Sequence, residues 1–138
     1  MKNNFTKSKI AGIILIIGGV GHFVSSFLGT FKVWAGVLSE GWWNKIPPPW
    51  TSPEITLQKA FWVTWGSFAL PLLILGSLIL WLAGKEIKVP KFIGFGLLTY
   101  AVLTMTLLPK GGMWLFLVSA VLLLSEKSEK KQSRLNVH

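Results

Sequence analysis

Apolar residues are gathered into four long runs that short polar and basic segments separate. The first three runs cover residues 10–31, 60–83 and 92–108, and none of them contains Asp, Glu, Lys or Arg. A helix rises about 1.5 Å per residue, so about 20 apolar residues cross the roughly 30 Å hydrocarbon core of a bilayer. The pattern predicts an all-α protein in which these three runs are transmembrane helices.

The fourth run is the shortest, because only residues 113–124 are continuously apolar. It spans a bilayer if the helix extends over about residues 111–126 or if the bilayer thins around it. A re-entrant or interfacial segment is the alternative. We expect a span, since good helix formers follow the run. The 138 residues then form one integral membrane domain, a four-helix transmembrane bundle.

Pro71 lies near the middle of the second run. In water a proline inside a helix argues for a break. In lipid a broken helix leaves more backbone groups unpaired, so we expect one kinked helix over residues 60–83.

The charged residues agree with a membrane location. Only 14% of the residues are charged, against roughly 25% in soluble domains, and the net charge is +9. The basic residues stand in clusters beside the apolar runs, where they face anionic lipid headgroups, and do not form the stripe that nucleic acid requires.

The distribution of Lys and Arg sets the orientation. Of the 14, ten lie before the first run, between the second and third runs, or in the basic tail 127–138. Four lie in the other connections. Both termini are therefore expected on the cytoplasmic side of a bacterial cytoplasmic membrane.

A Trp- and Pro-rich outer loop, residues 32–59, is expected between the first and second spans. Tryptophan prefers the headgroup level, which predicts that this loop lies on the membrane, with a short interfacial helix over residues 31–38. Its four Trp and four Pro residues leave two alternatives, a plain anchor or a lid over a cavity that faces lipid.

His22 is the histidine inside the four runs, and an ionisable side chain within a span is a functional hypothesis. It could ligate haem or a metal, bind a quinone carbonyl, or pass a proton. The alternative is a hydrogen bond to a hydroxyl on a neighbouring helix, with Thr64, Ser67, Thr99 and Thr104 as candidates. With one histidine in the runs, two axial haem ligands would need a symmetric dimer.

Small residues mark the expected helix contacts. Gly18, His22 and Ser26 recur every four residues, and Gly94 and Gly96 open the third run. Lys110 lies in the last turn, where its ammonium could bind an anionic headgroup or a carboxylate, or extend to water.

Several chemistries are excluded. Without cysteine there is no disulfide or thiolate ligand. No carboxylate lies within a run, which argues against proton-coupled drug export. No catalytic triad, carboxylate pair or metal-spaced cluster appears, so no catalytic residue and no metal site is predicted.

Several short motifs follow one another along the four runs, namely Gly21-His22-Phe23, Ala60-Phe61-Trp62, Gly66, Pro71-Leu72-Leu73, Val89-Pro90, Gly94, Gly96 and the segment from Pro109 to Leu115. Taken in order, these motifs resemble a family of small bacterial four-helix membrane proteins of unknown function, and the architecture is distantly similar to DoxX-like proteins. The resemblance implies a four-helix membrane protein and no activity.

We therefore expect a non-enzymatic protein that binds a lipid-like or amphipathic ligand or a partner membrane protein. Self-protection against a membrane-active amphipathic peptide is one version. The alternatives are a haem- or quinone-binding redox protein centred on His22, as a homodimer, and a small subunit of a transporter complex. The candidate ligand-binding residues are His22, Trp42, Trp43, Trp50, Trp62, Trp65 and Lys110.

Overall fold

The computed structural model describes residues 5–41, 55–107 and 111–126, and within them the chain is all α-helical, with five helices and no strand. The helices are α1 (Thr6–Glu40), α2 (Ile55–Val63), α3 (Ala69–Gly84), α4 (Lys91–Leu107) and α5 (Trp114–Leu124).

The chain divides into two compact units. Unit 1 comprises Met1–Ile16 and Leu75–His138, and unit 2 comprises Ile17–Ile74. Each unit is described separately below.

Helix α1 is longer than the first apolar run. It has 35 residues, which corresponds to about 52 Å, and it ends where Gly41 takes a φ of +98°. A positive φ favours glycine because other residues place a Cβ against the backbone. The expected outer loop is therefore helical over residues 32–40, and the expected interfacial helix is the last part of α1. The Trp42, Trp43 and Trp50 positions lie outside the described residues.

The second run forms two helices, so the prediction of one kinked helix over residues 60–83 is wrong. Helix α2 ends at Val63, and α3 begins at Ala69. Pro71 lies in the first turn of α3, where a backbone N–H would have no partner within the helix, so the missing donor costs nothing. The Ser67 hydroxyl accepts a hydrogen bond from the Ala69 N–H at 3.2 Å and caps the start of α3.

Helices α4 and α5 pack against each other in antiparallel orientation in unit 1. A Cβ on Gly94 would lie 2.9 Å from the Leu124 side chain, and the Tyr100 and Phe116 rings are 5.2 Å apart. A Cβ on Gly96 would meet nothing within 4 Å. Thus Gly94 forms the close approach, whereas Gly96 borders open space. The regular part of α5 has 11 residues, fewer than the 111–126 expected.

The turn after α3 closes with the two hydrogen bonds of a Schellman motif. The Ile87 N–H donates to the Leu82 carbonyl at 2.9 Å, and the Glu86 N–H donates to the Ala83 carbonyl at 3.3 Å. Glu86 has a φ of 57°, in the left-handed region where glycine is usual. This turn directs the chain into Pro90 and the start of α4.

Two glycines bring α1 and α3 together in unit 1. A Cβ on Gly12 would lie 2.9 Å from the Gly76 carbonyl oxygen, and a Cβ on Gly76 would lie 2.8 Å from the Gly12 carbonyl oxygen. The backbones approach so closely that neither position has room for a side chain. Such contacts between small residues are typical of helices that associate in membranes.

Polar contacts join the first turn of α1 to the end of α5 in unit 1. Ser8 is fully buried. Its N–H donates to Glu126 Oε1 at 3.2 Å, and its hydroxyl donates to Glu126 Oε2. Lys7 Nζ donates to the Ser125 hydroxyl at 3.0 Å. The carboxylate therefore satisfies an N–H of the helix N-terminus that has no partner within α1.

Candidate functional site

Unit 2 contains a cluster of large side chains between α1 and α2. Trp34, Val37 and Ala60 are buried at its centre, with Trp34 only 2% exposed. Partly buried apolar residues surround them, namely Phe27, Val33, Leu57 and Phe61. The Trp34 indole N–H donates to the Thr30 hydroxyl at 3.1 Å, so the buried ring has a hydrogen-bond partner.

Aromatic rings extend this core toward the middle of α1. The Trp65 ring meets Phe23 at a centroid distance of 5.1 Å and Trp34 at 6.4 Å, with interplanar angles of 74° and 89°. Phe23 in turn stacks on Phe27 at 6.0 Å. These distances and edge-to-face angles are the favourable ones for aromatic pairs. We call the rings of Phe23, Phe27, Trp34, Trp65 and Phe68, together with His22, the aromatic cluster.

The turn between α2 and α3, residues 64–68, positions two members of the cluster. The Thr64 and Gly66 N–H groups both donate to the Phe61 carbonyl, at 3.1 and 2.9 Å. A Cβ on Gly66 would lie 2.7 Å from the Phe61 ring, so a larger residue there would displace that ring. The turn thereby places Trp65 and Phe68 against α1.

His22 lies at the edge of the aromatic cluster. Its ring stacks on Phe68 with a centroid distance of 4.7 Å and an interplanar angle of 28°, and the side chain is half-buried. Within the described residues its ring nitrogens form no hydrogen bond. The Thr64 hydroxyl donates to the Ala60 carbonyl at 2.6 Å, and the Ser67 hydroxyl donates to the Thr64 carbonyl at 2.6 Å. These hydroxyls bond to nearby backbone and not to the imidazole.

The surface of α1 beside His22 carries almost no side chains. A Cβ on Gly21 or Gly29 would meet nothing within 4 Å. Ser25 lies between them and is exposed, with its hydroxyl donating to the His22 carbonyl at 3.1 Å. On the side of this stripe away from His22, α1 exposes large apolar side chains, including Val24 and Leu28.

Three of the predicted ligand-binding residues lie in the described part of unit 2. His22 and Trp65 belong to the aromatic cluster. Trp62 is 58% exposed, and its ring lies 5.3 Å from that of Phe61. Trp42, Trp43, Trp50 and Lys110 lie outside the described residues. The predicted packing residues Gly18 and Ser26 are half-buried on α1.

Four residues of the cluster, Phe23, Phe27, Trp34 and Phe68, were not among the predicted ligand-binding residues. Trp34 could have been found, because Phe27, Thr30, Trp34 and Val37 recur with the helical spacing of a buried face. Phe68 had no such signal, since its contact with His22 depends on the turn at residues 64–68. In the described part of the chain, no three His, Cys, Asp or Glu residues come together as a metal site.

Among the described residues, α1 is the one helix long and apolar enough to cross a membrane. Helices α3, α4 and α5 are apolar but shorter, with 16, 17 and 11 residues.

The chain belongs to a family of unknown function, DUF6463, whose match covers residues 6–130. This confirms the expectation of a family without an assigned function. Comparisons with curated proteins and with solved structures found no match.

Proposed function

We propose that this protein is a polytopic integral membrane protein without enzymatic activity, which binds a lipid-like or amphipathic molecule through the aromatic cluster of unit 2. In this proposal the chain crosses the membrane four times, with both termini in the cytoplasm. Helices α1, α4 and α5 each form one crossing, and α2 and α3 together form another.

The outward-facing residues of α1 carry the membrane part of the proposal. Its most apolar 18-residue window is only 22% buried, whereas the core helix of a water-soluble protein is mostly buried. Exposed apolar side chains follow one side of the helix at Ile13, Ile17, Val20, Val24 and Leu28. A continuous apolar strip of this length is favourable in contact with lipid and unfavourable in contact with water.

The buried residues support the same environment. Many of the buried positions are glycine, alanine or serine, while many large apolar side chains, such as Ile17, Leu28 and Ile74, are exposed. In lipid an apolar exterior is favourable, and helices associate through close contacts between small residues. This combination is unusual for a water-soluble protein.

The turn between α2 and α3 is compatible with a position inside the membrane. Lipid provides no hydrogen-bond partners, so backbone groups at that depth need partners within the protein. The N–H groups of Thr64, Gly66, Ser67 and Ala69 all donate to carbonyl or hydroxyl groups of residues 61–67. The turn can therefore interrupt the second crossing without leaving these donors unpaired.

The aromatic cluster supports the ligand part of the proposal. Trp65 is 39% exposed although it contacts two other rings, so part of its surface remains available to an apolar chain. Aromatic rings that join a buried core to an exposed face are common in sites for apolar ligands. A lipid-like molecule fits such a surface because it needs few directed contacts.

Photolabelling tests this function. The protein is reconstituted with a phospholipid that carries a diazirine in one acyl chain, and the labelled residues are identified by mass spectrometry. We expect labelling to concentrate on residues 21–34 and 64–68, and to fall several-fold in Trp65→Ala. Trp81→Ala is the matched control, because Trp81 is an exposed tryptophan in unit 1. Labelling spread over all exposed helical positions, and unchanged in Trp65→Ala, would contradict the proposal.

A further inference from the structure

His22 has an unusual combination of neighbours for a polar side chain in an apolar segment. One face of its ring is covered by Phe68, while its nitrogens form no hydrogen bond within the described residues. An uncharged imidazole has one N–H donor and one nitrogen acceptor. In an apolar environment, polar groups without partners are destabilising, so these nitrogens favour a partner that the described residues do not supply.

The adjacent surface of α1 leaves room for such a partner. At Gly21 and Gly29 the space where a Cβ would stand is open, and Ser25 between them has a short side chain. The Ser25 hydroxyl is already engaged with the His22 carbonyl, so it does not compete for the ring nitrogens. No side chain of the described residues would therefore have to be displaced for a ligand to approach His22 along this side.

The neighbouring rings indicate what kind of molecule would fit. Phe68 stacks on His22, and in the same unit the ring of Phe23, the next residue on α1, pairs with that of Trp65, which lies in the same turn as Phe68. Planar rings pack well on such surfaces. His22 also lies near the middle of α1, well away from the ends of the helix. If α1 crosses the membrane, this depth favours a molecule that is itself dissolved in the hydrocarbon region.

We propose that His22 donates a hydrogen bond to a ring carbonyl oxygen of a lipid-soluble quinone, whose ring lies against the aromatic cluster. This inference rests on the proposed function and specifies its ligand class. Ester carbonyls of phospholipids share the acceptor chemistry, but they have no ring and lie near the headgroups. The proposal concerns binding alone and includes no electron transfer.

Nuclear magnetic resonance of the imidazole tests the proposal directly. The chain has two histidines, so ¹⁵N-histidine labelling in a His138→Gln background leaves the ring nitrogens of His22 alone. The protein, in phosphatidylcholine nanodiscs, is titrated with a naphthoquinone that carries an isoprenyl side chain. The matched probe is the same hydrocarbon without the two ring oxygens. We expect a saturable shift of the His22 signal with the quinone only.

Affinity provides the second measurement, through saturable quenching of tryptophan fluorescence by the quinone. We expect His22→Phe, which keeps a ring against Phe68, to raise the dissociation constant about tenfold, the equivalent of 1.4 kcal/mol. Ser25→Ala is the control and should change it less than about twofold, because its hydroxyl contacts only backbone.

The outcomes separate this inference from the proposed function. If quinone and hydrocarbon shift the His22 signal equally, or if His22→Phe binds the quinone as tightly as the natural protein, the quinone assignment is wrong. If a phosphatidylcholine carbonyl of the nanodisc is the partner, His22 is already hydrogen-bonded before a probe is added, and quinone and hydrocarbon should have the same small effect on its signal. Concentrated photolabelling of the aromatic cluster would then still support a lipid-like ligand, whereas its absence would remove both.

Discussion

Units 1 and 2 are packed by different means. In unit 1, Gly12 meets Gly76 backbone to backbone, and the buried Ser8 is bonded to Glu126. In unit 2, large rings pack edge to face around Trp34, and the His22 nitrogens have no hydrogen-bond partner among the described residues. The close contacts of unit 1 thus lie within the unit, although the buried Ser119 hydroxyl there has no hydrogen-bond partner among the described residues. In unit 2 the polar side chain without such a partner, His22, is half-buried and stacks on an aromatic ring.

Under the proposed function, this difference corresponds to two roles. Close backbone contacts tolerate almost no change, which suits a scaffold. Bulky rings with partly exposed edges tolerate rearrangement and offer apolar surface, which suits binding.

The largest effect is expected from removing the central ring of unit 2. Trp34→Ala should lower the free energy of unfolding by about 3 kcal/mol, because a nearly fully buried ring leaves a cavity. The measurement is unfolding in mixed micelles of mild detergent and sodium dodecyl sulphate. The control Trp62→Ala removes an exposed ring and should cost less than about 1 kcal/mol. Equal costs would mean that Trp34 is not the centre of this core.

A smaller loss is expected at the glycine contact of unit 1. Gly76→Ala places a Cβ against the Gly12 carbonyl oxygen, which cannot move aside as a side chain would, and should cost about 2 kcal/mol. Gly96→Ala is the matched control in an open position, where it should stabilise the helix by up to about 1 kcal/mol. If Gly76→Ala is as stable as Gly96→Ala, the two backbones do not approach as closely as described.

The bond between Ser8 and Glu126 should contribute less. Glu126→Ala leaves the buried Ser8 hydroxyl and its N–H without this partner, so a loss of about 1–2 kcal/mol is expected. The specific contribution is measured by a double-mutant cycle with Ser8→Ala, which should give a coupling energy of about 1 kcal/mol. Additive effects of the two substitutions would exclude a direct contact.

The smallest change is a gain in stability. Glu86→Gly relieves a left-handed backbone that disfavours residues with a Cβ, and should raise the unfolding free energy by about 1 kcal/mol. The neighbouring Lys85→Gly is the control and should not stabilise the protein, because no positive φ is found at Lys85. Stabilisation by both substitutions, or by neither, would contradict the turn geometry.

The sequence predicted elements well where local signals decide the structure. Helix α4 covers residues 91–107 against an expected 92–108, because Pro90 stands directly before it and no breaker lies inside. The prediction of one kinked helix for the second run is wrong for a related reason. The position of Pro71 in the run suggests a mid-helix kink, whereas a proline shortly after a capping Ser67 is typical of a helix start.

Other features depend on contacts between distant residues. The extension of α1 to Glu40 accompanies the packing of Trp34 and Val37 against Ala60, which no local pattern reveals. His22 and Trp65 were recognisable as candidate residues from residue type and position. Their environment was not, since Phe68 reaches His22 only through the turn at residues 64–68.

Cysteine labelling tests the central claim, that the chain crosses a membrane several times. The natural sequence has no cysteine, so single substitutions at Gly41, Lys88 and Gly112 each introduce one exposed reactive group. In intact cells, a membrane-impermeant maleimide should label Gly41→Cys and Gly112→Cys, and should label Lys88→Cys only after permeabilisation. Labelling of all three from the same side, or recovery of the protein in the soluble fraction, would contradict the claim.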